Sequence, residues 1–328
     1  MAKRRPFKLV GQNVPRVDGI DKVTGKAKFT GDLVIPGMLQ GKVLRSLYPH
    51  ARIRSIDASQ AEALTGVAAV LTAADLREIN PYYNGRPVIA IDKVRYVGEP
   101  VAAVAAVDEE TANEALSLIA VEYEELPSAV GLDAALQPGA PLIHEQQSGN
   151  ICSHEHVEKG DAHRGFAESE EIFEDTFTFP MVYHYAMEPH TVIAKYDEEG
   201  IAVWSSAQHP FQVRKDIAQI FGVPAARVRM IIPYLGGGYG SKSYTKIEPL
   251  VVALARKARK PVRIANSVSE SMVTVRRHAA RVRLKTGVKK DGTLVAREAE
   301  IHLDTGGYAD NGPQVAIRAA TRVLGPYR

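Results

Sequence analysis

Four glycines lie within five residues in the segment Leu235-Gly-Gly-Gly-Tyr-Gly-Ser-Lys-Ser243. The residues before this segment predict a strand, and those after it predict a helix. Because glycine carries no side chain, backbone N–H groups in such a loop can approach an anion closely. The segment is therefore a candidate anion-binding loop, and a flexible surface turn is the alternative.

Two phosphate-binding motifs come close to this segment without matching it. A P-loop needs a glycine directly before Lys242 and Ser243, and Ser241 stands there. A dinucleotide-binding fingerprint needs its third glycine at the same position. A nucleotide-binding module that uses residues 236–243 as a degenerate P-loop therefore stays open as an alternative function.

Histidines form a second group of candidates. His154, His156 and His163 lie in a polar stretch without further metal ligands, which favours solvated side chains over a metal site. His184 and His190 lie beside an apolar strand, which favours semi-buried side chains with hydrogen-bond partners. No catalytic Ser-His-Asp or Cys-His set and no close acidic pair can be assembled from the spacing.

The segment Ser205-Ser-Ala-Gln-His209 precedes a predicted helix. Its hydroxyl and amide groups fit a helix cap, and they fit a site residue equally well. The residue types do not decide between these two interpretations.

The composition limits the class of protein. The chain has 328 residues, of which 45% are hydrophobic and 24% charged, and this length favours two domains. A mean hydropathy of −0.15 and the lack of a long apolar run predict no membrane span, and the basic start has no apolar region behind it, so we expect a cytoplasmic protein. The single Cys152 excludes an internal disulfide and an iron–sulfur cluster, which takes about four Cys ligands.

The charge is unevenly distributed, although the net charge is only +3 and does not indicate a nucleic-acid partner. Residues 251–328 hold 16 Lys and Arg against 6 Asp and Glu. This basic segment fits a solvated face, a surface for an acidic partner, or a field that attracts an anionic ligand.

Strands and helices alternate along the first 130 residues. We predict a strand over 66–72, a helix over about 73–79 that begins at a Thr72/Asp75 capping box, a buried strand over 99–107, a helix from Asp108 through Leu118 and a strand over 120–124. The predicted domains are 1–130 and 169–328, joined by a linker over 131–168 with little apolar periodicity.

The second half of the sequence also predicts both strands and helices. Strands are predicted over 172–179, 191–196, 201–204 and 228–232, with helices over about 211–221 and 248–259, the latter amphipathic and basic. Alternating residues over 281–303 predict a hairpin that turns at 290–293.

Several of these segments together resemble a known family. Residues 94–104 and 119–127, preceded by Gly25–Asp32 and Pro49–Ile53, are similar to the α/β-hammerhead domain of the molybdenum subunit in the xanthine dehydrogenase/aldehyde oxidase family. Glu188-Pro-His190, Ser205–Gln208 and Gly236–Lys242 resemble that family's first molybdopterin-binding domain, in the same order. The resemblance covers roughly residues 8–328 and implies an α+β fold in which a hammerhead domain precedes an incomplete first molybdopterin-binding domain.

The resemblance also implies site residues. Gln208 matches the glutamine whose amide lies by an oxo group of the molybdenum, and Tyr239 and Gly240 match a Phe-Gly pair whose main chain faces the metal centre. Gly237 and Gly238 would bring that loop close. The substrate-facing positions are Ser243 and Arg318. Ser243 replaces a Glu of the purine-oxidising members, which argues against xanthine as the substrate.

The family's chemistry is hydroxylation with water as oxygen source, here of an aldehyde or an N-heteroaromatic. The resemblance implies a molybdenum–molybdopterin cofactor, no direct metal ligand from this chain, and 2Fe–2S and FAD groups on partner subunits. The catalytic glutamate and the second molybdopterin-binding segments follow what is present here, so no catalytic base is expected in this chain. Glu99 belongs to the hammerhead pattern. We therefore expect half of a split subunit or a truncated product, inactive or a scaffold by itself.

Overall fold

The computed structural model describes residues 7–324. Within that range the α-helices are α1 (Gly19–Val23), α2 (Ser59–Ala63), α3 (Glu109–Ser117), α4 (Leu132–Leu136), α5 (Ala162–Ala167), α6 (Pro210–Ile220), α7 (Glu248–Ala258), α8 (Val268–Thr274) and α9 (Gly312–Val323). None of these described helices has the length and apolar character needed to cross a bilayer.

The strands of the described range are short to medium in length. They are β1 (Leu39–Arg45), β2 (Ala51–Asp57), β3 (Val67–Leu71), β4 (Tyr82–Tyr83), β5 (Arg86–Pro87), β6 (Lys93–Val94), β7 (Pro100–Ala106), β8 (Ala120–Glu125), β9 (Glu171–Phe179), β10 (Thr191–Asp197), β11 (Gly200–Ser205), β12 (Val228–Ile231), β13 (Val262–Ala265), β14 (Ala279–Val288) and β15 (Leu294–Asp304). The mixture agrees with the predicted α+β class.

Local capping explains where several elements begin. The Asp108 carboxylate accepts a hydrogen bond from the Thr111 amide at 2.8 Å and so starts α3, as predicted. The Thr72/Asp75 capping box is present, but the helix predicted over 73–79 is only a 3₁₀ turn, Ala73–Leu76. The helical turn ends early because the chain that follows it packs against the end of α6. There the Asn80 amide donates to the Ile220 carbonyl at 2.9 Å.

A seven-stranded sheet forms the main body, in the order β12-β11-β10-β13-β1-β7-β3. Strands β1, β3 and β7 come from the first predicted domain and the other four from the second. The two sets join where β1 pairs in parallel with β13, with Leu39 opposite Val262. One hydrogen-bonded sheet therefore spans both predicted domains.

The sheet is covered on both faces next to β7. All seven residues of β7 are buried, and they are small: Pro-Val-Ala-Ala-Val-Ala-Ala. Ala103 and Ala105 face the main core, whereas Ala102, Val104 and Ala106 face a second core with α3. Small side chains allow elements to pack closely on either face of the strand.

Helix α7 differs from its predicted amphipathic, basic character. Its residues from Glu248 to Ala255 are all buried against the main sheet. The basic residues lie in its last turn, where Arg256 pairs with Glu78 at 2.8 Å and Lys257 pairs with Asp75 at 2.7 Å. The helix is a central element of the core, with cations only at its C-terminal end.

The segment predicted as a linker, 131–168, contains α4 and α5 and packs on the second half. The Asn150 amide donates to the carbonyls of Ala135 and Pro141, and a ring nitrogen of His144 lies 2.7 Å from the Gly307 carbonyl. Smaller sheets complete the fold, in the orders β6-β2-β8, β4-β5 and β15-β14-β9.

Candidate functional site

The glycine loop, residues 235–243, lies between the end of β12 and the start of α7. Its backbone has positive φ angles at the tip, which the glycines Gly237 (φ +98°) and Gly240 (φ +99°) adopt readily, whereas Tyr239 (φ +52°) does so only under strain. A non-glycine residue in this left-handed region costs about 1–2 kcal/mol, and such strain concentrates at functional sites. Tyr239 is also 72% exposed, so packing of its ring does not explain the conformation.

Two of the glycines are required by neighbouring side chains. A Cβ at Gly238 would lie 2.4 Å from Oε1 of Gln208, and one at Gly236 would lie 2.5 Å from Cβ of Glu188. Neither position admits alanine without a shift of its neighbour. The loop is therefore closely packed on Gln208 and Glu188, which excludes a flexible surface turn.

Gln208 is fixed against this loop. Its backbone N–H donates to the Lys242 carbonyl at 2.7 Å, and its Oε1 accepts from the Gly240 amide at 3.0 Å and from the Ser243 hydroxyl at 3.4 Å. Because the Gly240 N–H needs an acceptor, the oxygen must face it and Nε2 is the outer end of the amide. Within the described part of the chain, Nε2 has no hydrogen-bond partner, so it is an available donor.

The helix-cap interpretation of Ser205–His209 is wrong. Helix α6 has His209 at its N-cap without a side-chain hydrogen bond. The Ser205 hydroxyl instead donates to Oε1 of Glu248 at 2.9 Å, and both side chains are buried. The residues before α6 therefore serve the loop and α7 rather than the start of the helix.

A buried ion pair, which we call the loop clasp, joins Glu188 and Lys242. The Lys242 ammonium donates to Oε2 of Glu188 at 3.0 Å and to its carbonyl at 2.7 Å. The same Oε2 accepts from the Gly236 amide at 2.9 Å, and the Glu188 amide donates to the Gly236 carbonyl at 3.0 Å. The clasp thus holds both ends of the glycine loop. Burial lowers the pKa of Lys242 below its usual value.

His190 lies beneath the loop. One ring nitrogen, Nε2, contacts the Ser241 carbonyl at 3.2 Å, whereas Nδ1 is buried without a partner. Burial lowers the pKa of His190 to about 4, so the ring is neutral at pH 7. His184 is half-buried, and burial also lowers its pKa. The predicted hydrogen-bond partner is present for only one nitrogen of His190.

The structure gives the P-loop hypothesis no support. A P-loop lysine must reach a phosphate, but the Lys242 ammonium lies inside the loop clasp with a side chain that is 1% exposed. Helix α7 begins at Glu248, several residues after Ser243, so its N-terminus does not follow the glycines directly.

The predicted site residues fall into two groups. Gln208, Gly238, Gly240 and Ser243 lie together, while Arg318 lies exposed on α9. No described hydrogen bond or ion pair links the Arg318 guanidinium to the loop. His154, His156 and His163 are exposed, as the sequence predicts.

Sequence reasoning missed the pairing within the loop clasp. Lys242 is visible in the sequence only as part of a P-loop-like motif, and Glu188 only as part of Glu188-Pro-His190. The two residues are 54 positions apart, and no local pattern connects them. One signal could have revealed the pair: a lysine in a loop that is predicted to be buried. A buried ammonium requires a negatively charged partner, so a search for a nearby carboxylate would have followed.

Two family models match the chain. Residues 24–127 match the a/b hammerhead domain of aldehyde oxidase and xanthine dehydrogenase, and residues 143–328 match the molybdopterin cofactor-binding domain. Within the curated proteins, the chain is 40% identical over 318 residues to a probable xanthine dehydrogenase subunit of Bacillus subtilis (strain 168), covering 95% of this chain and 42% of that protein. It is 37% identical over 328 residues to the nicotinate dehydrogenase large molybdopterin subunit of Eubacterium barkeri, covering 98% of this chain and 77% of that protein.

Solved structures agree with this relationship. Quinoline 2-oxidoreductase from Pseudomonas putida 86 superimposes with a TM-score of 0.81 at 31% identity, over 89% of this chain and 39% of that chain. Aldehyde oxidoreductase from Desulfovibrio gigas gives a TM-score of 0.87 at 26% identity, over 93% and 35%. The chain spans less than half the length of the B. subtilis relative and of these structures. The chain belongs to the xanthine dehydrogenase/aldehyde oxidase family and corresponds to part of that family's molybdopterin-binding subunit.

Proposed function

We propose that this chain binds one side of a molybdenum–molybdopterin cofactor in a molybdenum hydroxylase, which oxidises an aldehyde or an N-heteroaromatic compound with water as oxygen source. The observation that carries the proposal is Gln208, whose amide oxygen is fixed by Gly240 and Ser243 while its Nε2 donor stays free beside the glycine loop.

The residues present fit such a group. Gly238 is buried, and any side chain there would displace Gln208. The backbone N–H groups of Gly237, Gly238 and Tyr239 have no hydrogen-bond partner within residues 7–324. Consecutive unpaired N–H groups form a concave surface suited to anionic oxygens. Gln208, Gly237, Gly238, Tyr239 and Gly240 are therefore the proposed cofactor-binding residues.

When bound, the cofactor supplies oxygen transfer and two-electron redox chemistry. The chain's own contribution is a preorganised donor: the loop clasp holds the ends of the glycine loop, the loop holds Gln208, and Gln208 presents Nε2 without further rearrangement. Ser243 and Arg318 are proposed substrate-facing residues. Arg318 is exposed on α9, which fits a side chain that would contact the substrate only when a further segment packs beside it.

The catalytic base is proposed to come from outside this chain. Near the loop, the Glu188 carboxylate is held in the ion pair with Lys242. Glu99 is 2% exposed and accepts hydrogen bonds from the Tyr308 hydroxyl and the Arg95 amide, both at 2.6 Å. Both carboxylates have structural partners, which supports the proposal that the chain is inactive alone.

The proposed partners are the remaining molybdopterin-binding half and subunits that carry 2Fe–2S and FAD. Support comes from relatives that are named as subunits, including the carbon monoxide dehydrogenase large chain of Afipia carboxidovorans at 32% identity. Cys152 is the sole cysteine of these 328 residues, so the proposed iron–sulfur relay would lie outside them.

The test is a Gln208→Glu exchange in the assembly purified from the native host through a tag on this chain. A carboxylate keeps the acceptor for Gly240 but removes the Nε2 donor. Loss of one such donor typically lowers turnover by about 10²–10³. We expect the turnover per bound molybdenum to fall by this factor, while the melting temperature stays unchanged. Gln219→Glu, an exposed glutamine on α6, is the matched control and should change neither quantity.

Absence of molybdenum from the complete assembly would contradict the proposal, and so would full turnover in Gln208→Glu. Titration with Mg-ATP should show no saturable binding, whereas saturation would revive the P-loop alternative.

A further inference from the structure

A cavity of about 160 Å³ lies between the hairpin of β4 and β5 and the second half of α6. Residues 82–85 line it from the hairpin, and the residues that line it from α6 include Asp216 and Ile220. We call it the hairpin cavity. No residue of the glycine loop, 235–243, lies in its wall, so the hairpin cavity is separate from the proposed cofactor site.

Asp216 is the charged side chain of the cavity wall, and it is only 6% exposed. Its Oδ1 accepts from the Gln212 amide at 2.7 Å, and its Oδ2 accepts from the Thr245 hydroxyl at 2.5 Å. Both donors are neutral, and within residues 7–324 no cationic side chain forms an ion pair with this carboxylate. Each carboxylate oxygen has two lone pairs, so both oxygens can accept a further hydrogen bond.

A buried carboxylate without a counter-charge is unfavourable, and other buried charges of this chain avoid that cost by pairing. The buried Lys242 pairs with Glu188 at 3.0 Å, and the buried Lys246 pairs with Asp310 at 2.7 Å. Asp216 differs because its partners are neutral and it borders a cavity. A cation with N–H donors in that cavity would supply both the missing charge and the missing hydrogen bonds.

The size of the cavity and its lining limit the kind of cation. A divalent metal ion does not fit, because no group of three or more His, Cys, Asp or Glu in the described part of the chain could hold one. A cavity of about 150 Å³ can hold benzene, so the hairpin cavity has room for a molecule of about six heavy atoms. These properties favour a small organic cation.

The aromatic part of the wall favours guanidinium over ammonium. Tyr82 lies in the wall and is 52% exposed, so its ring is accessible to a ligand. Guanidinium stacks on aromatic rings, and it is more weakly hydrated than ammonium, so it leaves water at a lower cost. Its five N–H groups can also reach several acceptors, and the Asn84 amide at the turn of the hairpin offers one more.

We propose that the hairpin cavity binds a small guanidinium compound of about six heavy atoms. Asp216 is its counter-charge, and Tyr82 is its aromatic partner. The bound cation also affects the neighbourhood of the glycine loop. Thr245, which donates to Asp216, is fully buried and follows Ser243 by two residues. By fixing the carboxylate, the ligand strengthens the connection between α6 and the segment that leads from the loop to α7.

The first measurement is isothermal titration calorimetry of the full chain at pH 7 with ethylguanidinium chloride, at constant ionic strength. We expect saturable binding with a Kd on the order of 1 mM or below, which six heavy atoms can supply. Ethylurea has the same shape and the same number of heavy atoms but no charge, and it should bind at least about tenfold more weakly. Propylammonium chloride tests the preference for guanidinium and should also bind more weakly.

The second measurement repeats this titration with Asp216→Asn, which removes the charge and keeps an acceptor. Ethylguanidinium should bind to it at least about tenfold more weakly. Asp175→Asn, the same exchange at an exposed position on β9, is the matched control and should leave the Kd unchanged. Circular dichroism and the melting temperature of each variant show whether it folds.

Two exposed positions test the site without a change in the buried network. Tyr82→Leu removes the aromatic partner and should weaken binding by about two- to fivefold. Asn84→Asp adds a second carboxylate to the wall and should tighten binding by about two- to fivefold. Asn84 has a left-handed backbone with φ +47°, which aspartate also adopts, so this exchange should not strain the turn.

Several results would overturn the proposal. They are the lack of saturable binding, an equal Kd for ethylurea, tighter binding of propylammonium, and an unchanged Kd in a folded Asp216→Asn. If Asp216→Asn does not fold, unchanged binding in both Tyr82→Leu and Asn84→Asp would overturn it. These titrations need neither molybdenum nor turnover, so their failure leaves the proposed function standing, and a failure of the proposed function leaves the hairpin cavity standing.

Discussion

The seven-stranded sheet and the sheet of β9, β14 and β15 obtain their stability in different ways. In the large sheet, β7 is buried along its whole length, and helices α3 and α7 supply apolar cover on its two faces. In the small sheet, β9 is exposed along its whole length and the apolar side chains remain partly accessible. A region with its own core can fold by itself, whereas a region with an uncovered face depends on what covers it.

The largest contrast should appear in core truncations. Leu254 in α7 is fully buried, so Leu254→Ala should lower the free energy of unfolding by about 3–5 kcal/mol. Val282→Ala in the small sheet should lower it by less than about 1 kcal/mol, because its side chain is partly exposed. Urea unfolding of the isolated chain measures both. Equal effects would show that the small sheet already has a complete core.

The loop clasp lies in the connection between the two sheets and should have the next largest effect. Glu188→Gln leaves the buried Lys242 ammonium without a counter-charge, which should lower the free energy of unfolding by about 3 kcal/mol. The double variant Glu188→Gln/Lys242→Met removes both charges and should recover part of this loss. A double variant no more stable than the single one would show that the ion pair is not the source of the effect.

The third prediction is a pH dependence from His190. Its pKa is about 4 in the folded chain against 6.5 as the ordinary value, so the unfolded chain binds more protons between these values. Stability is therefore lost as pH falls through this window, by about 2 kcal/mol between pH 7 and pH 5. His190→Gln keeps an N–H donor for Ser241 and should remove this part of the pH dependence, while the exposed His154→Gln should retain it.

The smallest predicted effect concerns a contact that ties the end of the small sheet to the main body. Tyr308 follows β15, and its hydroxyl donates to the buried Glu99 carboxylate at 2.6 Å. Burial raises the pKa of Glu99. Tyr308→Phe removes one partner of that carboxylate and should lower the free energy of unfolding by about 1–2 kcal/mol at pH 7. The loss should be smaller at pH 4, where protonation relieves the unpaired charge, and a loss that is independent of pH would contradict this account.

Local features of the fold were predictable from the sequence. Helix α6 was expected over about 211–221 and runs from Pro210 to Ile220, and the Asp108 cap of α3 is present. These elements follow from short-range chemistry: capping side chains, proline at helix starts and glycine stops. The burial of α7 was not predicted, because its periodic apolar residues and terminal cations look the same on a surface helix.

The candidate site was predictable only in part. Its glycines were identified from their spacing and Gln208 from the family resemblance, and the structure places Gln208 against Gly238 and Gly240. The contact with Glu188 and the continuous sheet depend on residues far apart in the chain, for which the sequence carries no local signal. Arg318 remains a prediction, since no described hydrogen bond or ion pair links its guanidinium to the glycine loop.

The parallel pairing of β1 with β13 has a consequence for biosynthesis. Strands β3, β7 and β1 can assemble once β7 has been made, but the other edge of β1 receives its partner β13 only when the ribosome has added about 155 further residues. At typical translation speeds of about 5–20 residues per second, that edge stays open for roughly 8–30 s. During this interval the nascent chain exposes the unpaired backbone edge of β1, which can pair wrongly, so slower synthesis or delayed release should increase aggregation of this protein.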